Sequence, residues 1–188
     1  GSTSQLYLSS ADYIFYGENH AGRSLAAAGD VDGDGLSDLL IAADGESNTG
    51  AVYLIYGSSL SSSRIIPLSS ADITFTGEAV GDLAGSTVSS AGDVDGDGLS
   101  DILIAASRAT DAGAVYLIFA ASLSGSPSVD LSTADYKFTG EMSSGEVNGV
   151  AAIADIDGDN RSELLIGARY AQDSSGARTG AAYLLMSD

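Results

Sequence analysis

The sequence predicts an all-β fold of β-propeller blades, three four-stranded blades in one chain, in a ring closed by oligomerisation. Three observations lead there. The 188 residues repeat at a spacing of about 62, each repeat holds four short strand-like segments set off by turn residues, and no window keeps an apolar period of 3.6 residues long enough for a helix. The repeats run over residues 8–67, 68–130 and 131–188, and together they form a single repeat domain. "LSSAD" at 8–12 returns at 68–72 and as "LSTAD" at 131–135, and "GAVYLI" at 50–55 returns at 113–118 and as "GAAYLL" at 180–185. A repetitive β-sandwich or solenoid is the competing architecture.

Each predicted strand has its own reason. Tyr13 to Gly17, Ile73 to Gly77 and Tyr136 to Gly140 alternate in polarity and read as outer, half-wet strands. Ser24 to Ala28, Thr87 to Ala91 and Val150 to Ala154 are runs of small residues, suited to innermost strands that converge on an axis. Leu39 to Ala43, Ile102 to Ala106 and Leu164 to Ala168 are continuously apolar, as strands buried on both faces are. Ala51 to Tyr56, Ala114 to Phe119 and Ala181 to Met186 supply the third strand of each blade.

Composition narrows the function. Asp and Glu outnumber Lys and Arg 26 to 7, and the formal charge of −19 opposes nucleic acid and anionic membrane surfaces while favouring cations. With no cysteine there is neither a disulfide framework nor a thiolate metal site. No apolar run reaches the roughly 18 residues of a membrane span, so no membrane insertion is expected, and no signal peptide is read at the start.

The charge is concentrated in one place per repeat. "DVDGDGLSD", Asp30 to Asp38, puts carboxylates at loop positions 1, 3, 5 and 9 and glycines at 4 and 6, then runs straight into "LLIAA". A loop of this kind curls around a hard cation that takes six to eight oxygens at about 2.3–2.6 Å, with the position 7 carbonyl and water completing the shell. The expected calcium ligands are Asp30, Asp32, Asp34, the Leu36 carbonyl and Asp38 in the first repeat, and Asp93, Asp95, Asp97, the Leu99 carbonyl and Asp101 in the second. In the third they are Asp155, Asp157, Asp159, the Arg161 carbonyl and Glu163, with Asn160 in place of the second glycine. About three Ca2+ per chain follow. Unneutralised carboxylates at this spacing repel, so the pKa of at least one should rise. An EF-hand closes with Glu at position 12 between helices, whereas position 12 here is Ile41, Ile104 or Ile166 inside an apolar strand. A solvated acidic turn without metal is the remaining alternative.

A Gly-containing turn, a small-residue strand, "GDVDGDGLSDLLIAA" and "GAVYLIYG" in that order resemble the FG-GAP repeat of integrin α-subunit propellers and their bacterial relatives. The resemblance covers all three repeats. It departs where that family often has Phe-Gly, since Ala21-Gly22, Ala84-Gly85 and Asn148-Gly149 stand there, and where its Gly-Ala-Pro element appears as "AAD", "AAS" and "GAR". It implies calcium held in the hairpin of the two inner strands, a mainly structural role for the ion, and a noncatalytic scaffold for protein or cell-surface interaction. Sites of this kind are best filled outside cells, so an extracellular or cell-surface location is expected.

Three blades do not close a ring of the usual four to eight. The chain starts with an outer-type strand and ends with a third-type strand, so two copies joined head to tail would give six blades. A homodimer is expected; an excerpt of a longer propeller, or a designed or amplified unit, is the alternative. Catalysis is not expected: His20 is the only histidine, G-x-S-x-G and H-E-x-x-H are absent, and Glu18, Glu78 and Glu141 recur as turn residues. The Asn160-Arg161-Ser162 sequon lies inside the third acidic loop. A lectin-like propeller that binds glycans is the other function class, with Tyr7, Tyr16 and Tyr170 as its aromatics and no Trp. Acquired specificity belongs in the variable loops Gly45 to Thr49, Arg108 to Ala112 and Arg169 to Thr179.

Overall fold

A computed structural model describes residues 7–17, 19–45, 48–60, 63–140, 146–173 and 175–187. The described strands, in chain order, are β1 (Ile14–Tyr16), β2 (Leu25–Gly29), β3 (Asp38–Ala43), β4 (Ala51–Ile55), β5 (Ile65–Pro67), β6 (Ile73–Thr76) and β7 (Ala84–Gly92). They continue with β8 (Asp101–Ala106), β9 (Ala114–Ile118), β10 (Ser128–Asp130), β11 (Tyr136–Thr139), β12 (Val147–Ile153), β13 (Glu163–Ala168) and β14 (Ala181–Leu185). Single 3-10 turns carry the linkers at Leu8–Ser10, Gly57–Ser59, Leu68–Ser70, Ala120–Leu123 and Leu131–Thr133.

Three antiparallel blades result. The first is β2-β3-β4-β6, the second β7-β8-β9-β11 and the third β12-β13-β14. Sequence repeat and blade are therefore offset by one strand: the outer strand of a blade is the first strand of the next repeat. Two blades have four strands, and the third has three among the described residues, one fewer than the sequence reading assigned. β1 joins no blade. It pairs in parallel with β5, Phe15 opposite Ile66, as β6 pairs in parallel with β10, Phe75 opposite Val129. β5 and β10 are additions to the predicted set.

The core lies between blades. Leu40, Val52, Leu54 and Phe75 of the first blade meet Ile102, Ile104, Tyr116 and Ile118 of the second, with Leu131 closing the seam. Leu103, Val115 and Leu117 meet Leu164 and Ile166 in the same way. After their opening aspartates β3 and β8 are apolar because both faces are covered, whereas the small residues of β2 and β7 let inner strands approach. Blades also touch backbone to backbone. Gly50 bridges Ala84 in parallel, and the Ala84 N–H donates to Thr49 O at 3.0 Å. A Cβ on Gly50 would lie 2.2 Å from the Ala84 carbonyl oxygen, so only glycine fits there. The Val147 N–H repeats the contact to Ala112 O at 2.8 Å.

Candidate metal centre

Each acidic loop joins the first two strands of its blade, so all three leave the blades at the same end. The turn is shaped by its own carboxylates. In the first loop Asp30 accepts the Gly33 N–H on Oδ1 at 2.8 Å and the Gly35 N–H on Oδ2 at 2.9 Å. Asp93 takes the Gly96 and Gly98 N–H groups likewise, and Asp155 those of Gly158 and Asn160. Positions 4 and 6 are left-handed in every loop, including Asn160 at φ 69°, as the substitution of asparagine for glycine requires.

Position 9 is built differently. Asp38, Asp101 and Glu163 are fully buried at the head of β3, β8 and β13, where the strand enters the core. Asp38 accepts the Val31 N–H and, from beyond β4, the Gly57 N–H, both at 2.8 Å; Asp101 accepts from Val94 and Ala120, both at 2.9 Å. Glu163 accepts one backbone N–H, from Ile156 at 2.7 Å, and the Ser187 hydroxyl at 3.3 Å. The position 9 residue thus fastens the loop and ties it to the segment following the third strand, through a backbone N–H in the first two blades and through the Ser187 hydroxyl in the third. Nothing in the local pattern shows the second bond, because its donor lies 19 residues away.

Carboxylate oxygens of Asp30, Asp32 and Asp38 lie within 4.8 Å of one another, as do those of Asp93, Asp95 and Asp101. The third loop brings together Asp155, Asp157, Asp159 and Glu163. Asp34 and Asp97 stand outside the gathered sets, each accepting the N–H of the position 7 residue, Leu36 or Leu99, at 2.8 Å. The Arg161 N–H makes the same bond to Asp159. Burial pushes the Asp101 carboxyl up to about 6 against the pull of its two N–H donors, and Asp95 and Asp97 push it further. Burial raises Asp38 too, opposed by Gly57 and Val31 and reinforced by Asp32 and Asp34. Asp155, exposed, is held below the usual carboxylate range by its backbone donors. A buried acid forced upward beside two further carboxylates is a site whose charge a cation would restore, and an all-oxygen donor set suits a hard divalent ion.

The loops are also joined in series. The Ser100 N–H donates to Asp30 O at 2.8 Å, and the Ser162 N–H to Asp93 O at 2.7 Å, so position 8 of one loop holds position 1 of the loop before it.

Other singled-out residues have plain roles. His20 and Arg23 bind the buried Asp44 at 3.0 and 3.1 Å. Glu78 pairs with Lys137 at 2.7 Å; Glu18 and Glu141 lie outside the described residues. Of the variable loops, residues 46, 47 and 174 are outside them too. Tyr170 has the Arg169 and Arg178 guanidinium groups 4.5 and 5.8 Å from its ring centre. Among the described residues no helix is long and apolar enough to cross a membrane.

Comparison with known proteins gives a consistent result. The FG-GAP repeat family matches residues 21–55, 84–118 and 147–185, one match for the inner three strands of each blade. Integrin alpha pat-2 of Caenorhabditis briggsae is 37% identical over 93 residues, 48% of this chain and 8% of its own length. Phosphatidylinositol-glycan-specific phospholipase D of Bos taurus is 30% identical over 179 residues, 85% of this chain and 20% of its own. Integrin alpha-4 of Xenopus laevis is 32% identical over 164 residues, 84% of this chain and 15% of its own. The chain thus spans no more than a fifth of these relatives.

Proposed function

The chain belongs to the FG-GAP repeat family, and on that premise we propose that it is a noncatalytic, calcium-braced propeller scaffold for protein or cell-surface interaction, self-assembling into a closed ring. One observation carries the calcium reading: three position-matched carboxylate clusters, each closed by a buried acid at the head of a core strand. An ion there neutralises the repulsion and pins the inner hairpin, and three would reduce the formal charge from −19 to −13. Two copies give six blades, within the four to eight that close, whereas three copies would give nine. The integrin resemblance supports an extracellular, interaction-making role, and the phospholipase name belongs to a protein of which this chain matches 20%.

Native mass spectrometry with calcium and with chelator tests the reading directly. Two chains carrying about six ions are expected in calcium, with loss of ions in chelator. A chain that takes up no calcium removes the metal role, and a single chain in saturating calcium removes the ring.

A further inference from the structure

The two blade seams inside the chain are templates for a third. At matched positions the side chains are buried where the blade's outer strand and linker, or the next blade, are in place, and open where they are not. Leu54 and Leu117 are 0% and 2% exposed, but their counterpart Leu184 is 46%; Tyr53 and Tyr116 are 8% and 0%, but Tyr183 is 45%. Leu68 and Leu131 are each 1% exposed, whereas Leu8, at the same place in "LSSAD", is 92%. On the opposite flank Leu25 is 65% exposed where Val88 is 5%.

The open strand and the open edge match each other. β6 and β11 lie antiparallel on β4 and β9 in one register, Thr76 opposite Ala51 and Thr139 opposite Ala114. β1 is the same segment of the repeat and has no such partner among the described residues; the outer edge of β14 has none either. Beside β14 lies a cavity of about 410 Å3 walled by Leu117, Phe119, Phe138, Leu164 and Leu185, where the linker leucine of a complete blade would sit. The aspartates of "LSSAD" agree. Asp72 accepts the Tyr56 N–H and Asp135 the Phe119 N–H, each at 2.8 Å and each just past the third strand of the blade being completed. Asp12 makes no such bond among the described residues, and its matching donor would be the Met186 N–H.

Resting on the ring reading above, we infer that residues 8–16 of one copy complete the third blade of a second copy. β1 lies antiparallel on the second copy's β14 with Tyr16 opposite Ala181 and Ile14 opposite Tyr183. Leu8 enters the cavity, and Asp12 takes the Met186 N–H. The neighbouring seam contacts repeat as well: the Ala21 N–H reaches Thr179 O, as the Ala84 N–H reaches Thr49 O, and the Ser37 N–H reaches Asp155 O, as the Ser100 N–H reaches Asp30 O. Ala154 stands where Gly29 and Gly92 admit that serine, so the last contact needs its own backbone adjustment. The donated strand is already shaped for the task, since Arg64 binds Ala11 O at 2.6 Å and Ser9 O, and Ile14 donates to Arg64 O at 2.8 Å.

The chain has no cysteine, so engineered pairs report the register without background. Tyr16→Cys with Ala181→Cys, oxidised in calcium, is expected to give a covalent dimer, because facing residues in an antiparallel pair lie within disulfide reach. Tyr16→Cys with Leu184→Cys, three positions out of register, is expected not to. Leu8→Ala is expected to weaken the dimer about tenfold to a hundredfold while leaving the circular dichroism of the separated chain unchanged, since Leu8 is exposed there. A dimer by mass in which the in-register pair fails to cross-link, or both pairs cross-link equally, overturns the strand donation and leaves the ring standing. A chain that is monomeric in saturating calcium overturns the ring itself.

Discussion

Replacing Gly50 by alanine should open the seam between the first two blades. Gly50 sits at φ +85°, and an added Cβ would lie 2.2 Å from Ala84 O and 2.4 Å from Ala84 N, both backbone atoms of the next blade that no rotamer change can move. Gly125 is the control: φ +81°, exposed, with nothing within 4 Å of an added Cβ. Gly125→Ala therefore carries only the left-handed conformational term, about 1–2 kcal/mol. Gly50→Ala carries that plus an overpacking term of about 1–3 kcal/mol, for a total of about 2–5 kcal/mol. At about 2–4 °C per kcal/mol for a domain of this size, the melting temperature should fall by about 4–20 °C for Gly50→Ala and about 2–8 °C for Gly125→Ala. Differential scanning calorimetry of both variants beside the parent, in the same calcium buffer, measures it. Equal losses would refute the reasoning, because the blade seam would then tolerate a methyl group in the space the Ala84 backbone occupies.

Other outcomes follow from the acidic loops and the seam. Calcium should raise the melting temperature and chelator lower it, with each site contributing about 2.7 kcal/mol once free calcium reaches a hundredfold excess over its Kd, read by thermal shift across a calcium titration. In chelator, Asp101 titrates near 6 when folded against an ordinary 3.8 unfolded, so its contribution to stability is fully present below pH 3.8 and is lost as pH rises through about 6. Asp101→Asn should remove that part of the pH slope in urea unfolding curves, and saturating calcium should remove it in the parent. Glu78→Gln, which breaks a partly exposed pair with Lys137, should cost only about 0.2–1 kcal/mol in the same assay, and a larger loss would mean the pair is part of the seam's core.

The legibility of the chain follows the range of the forces involved. β3 and β8 are visible in "LLIAA" and "ILIAA" because two-sided burial writes itself as unbroken apolar residues. The position 1, 3 and 9 acids are visible because a loop's spacing is local, and Asn160 took the left-handed turn its chemistry permits. β5 and β10 are not legible, since three residues paired in parallel to another strand carry no period of their own. β7 begins three residues before the small-residue run Thr87 to Ala91 does, at Ala84, where a register shift and Gly85 hide it. The second bond of Asp38 and Asp101 and the withdrawal of Asp34 and Asp97 depend on where distant or competing N–H groups fall, which spacing alone does not encode.

The serine-to-carbonyl links between successive acidic loops make the three turns neighbours in a row, and a row transmits tension only between adjacent members. Filling the middle turn should therefore sharpen both of its flanks, whereas filling an outer one sharpens a single flank. Calcium uptake would then be uneven along an open chain, with Asp93 to Asp101 as its most responsive point, and would even out when the row is bent into a circle and has no ends.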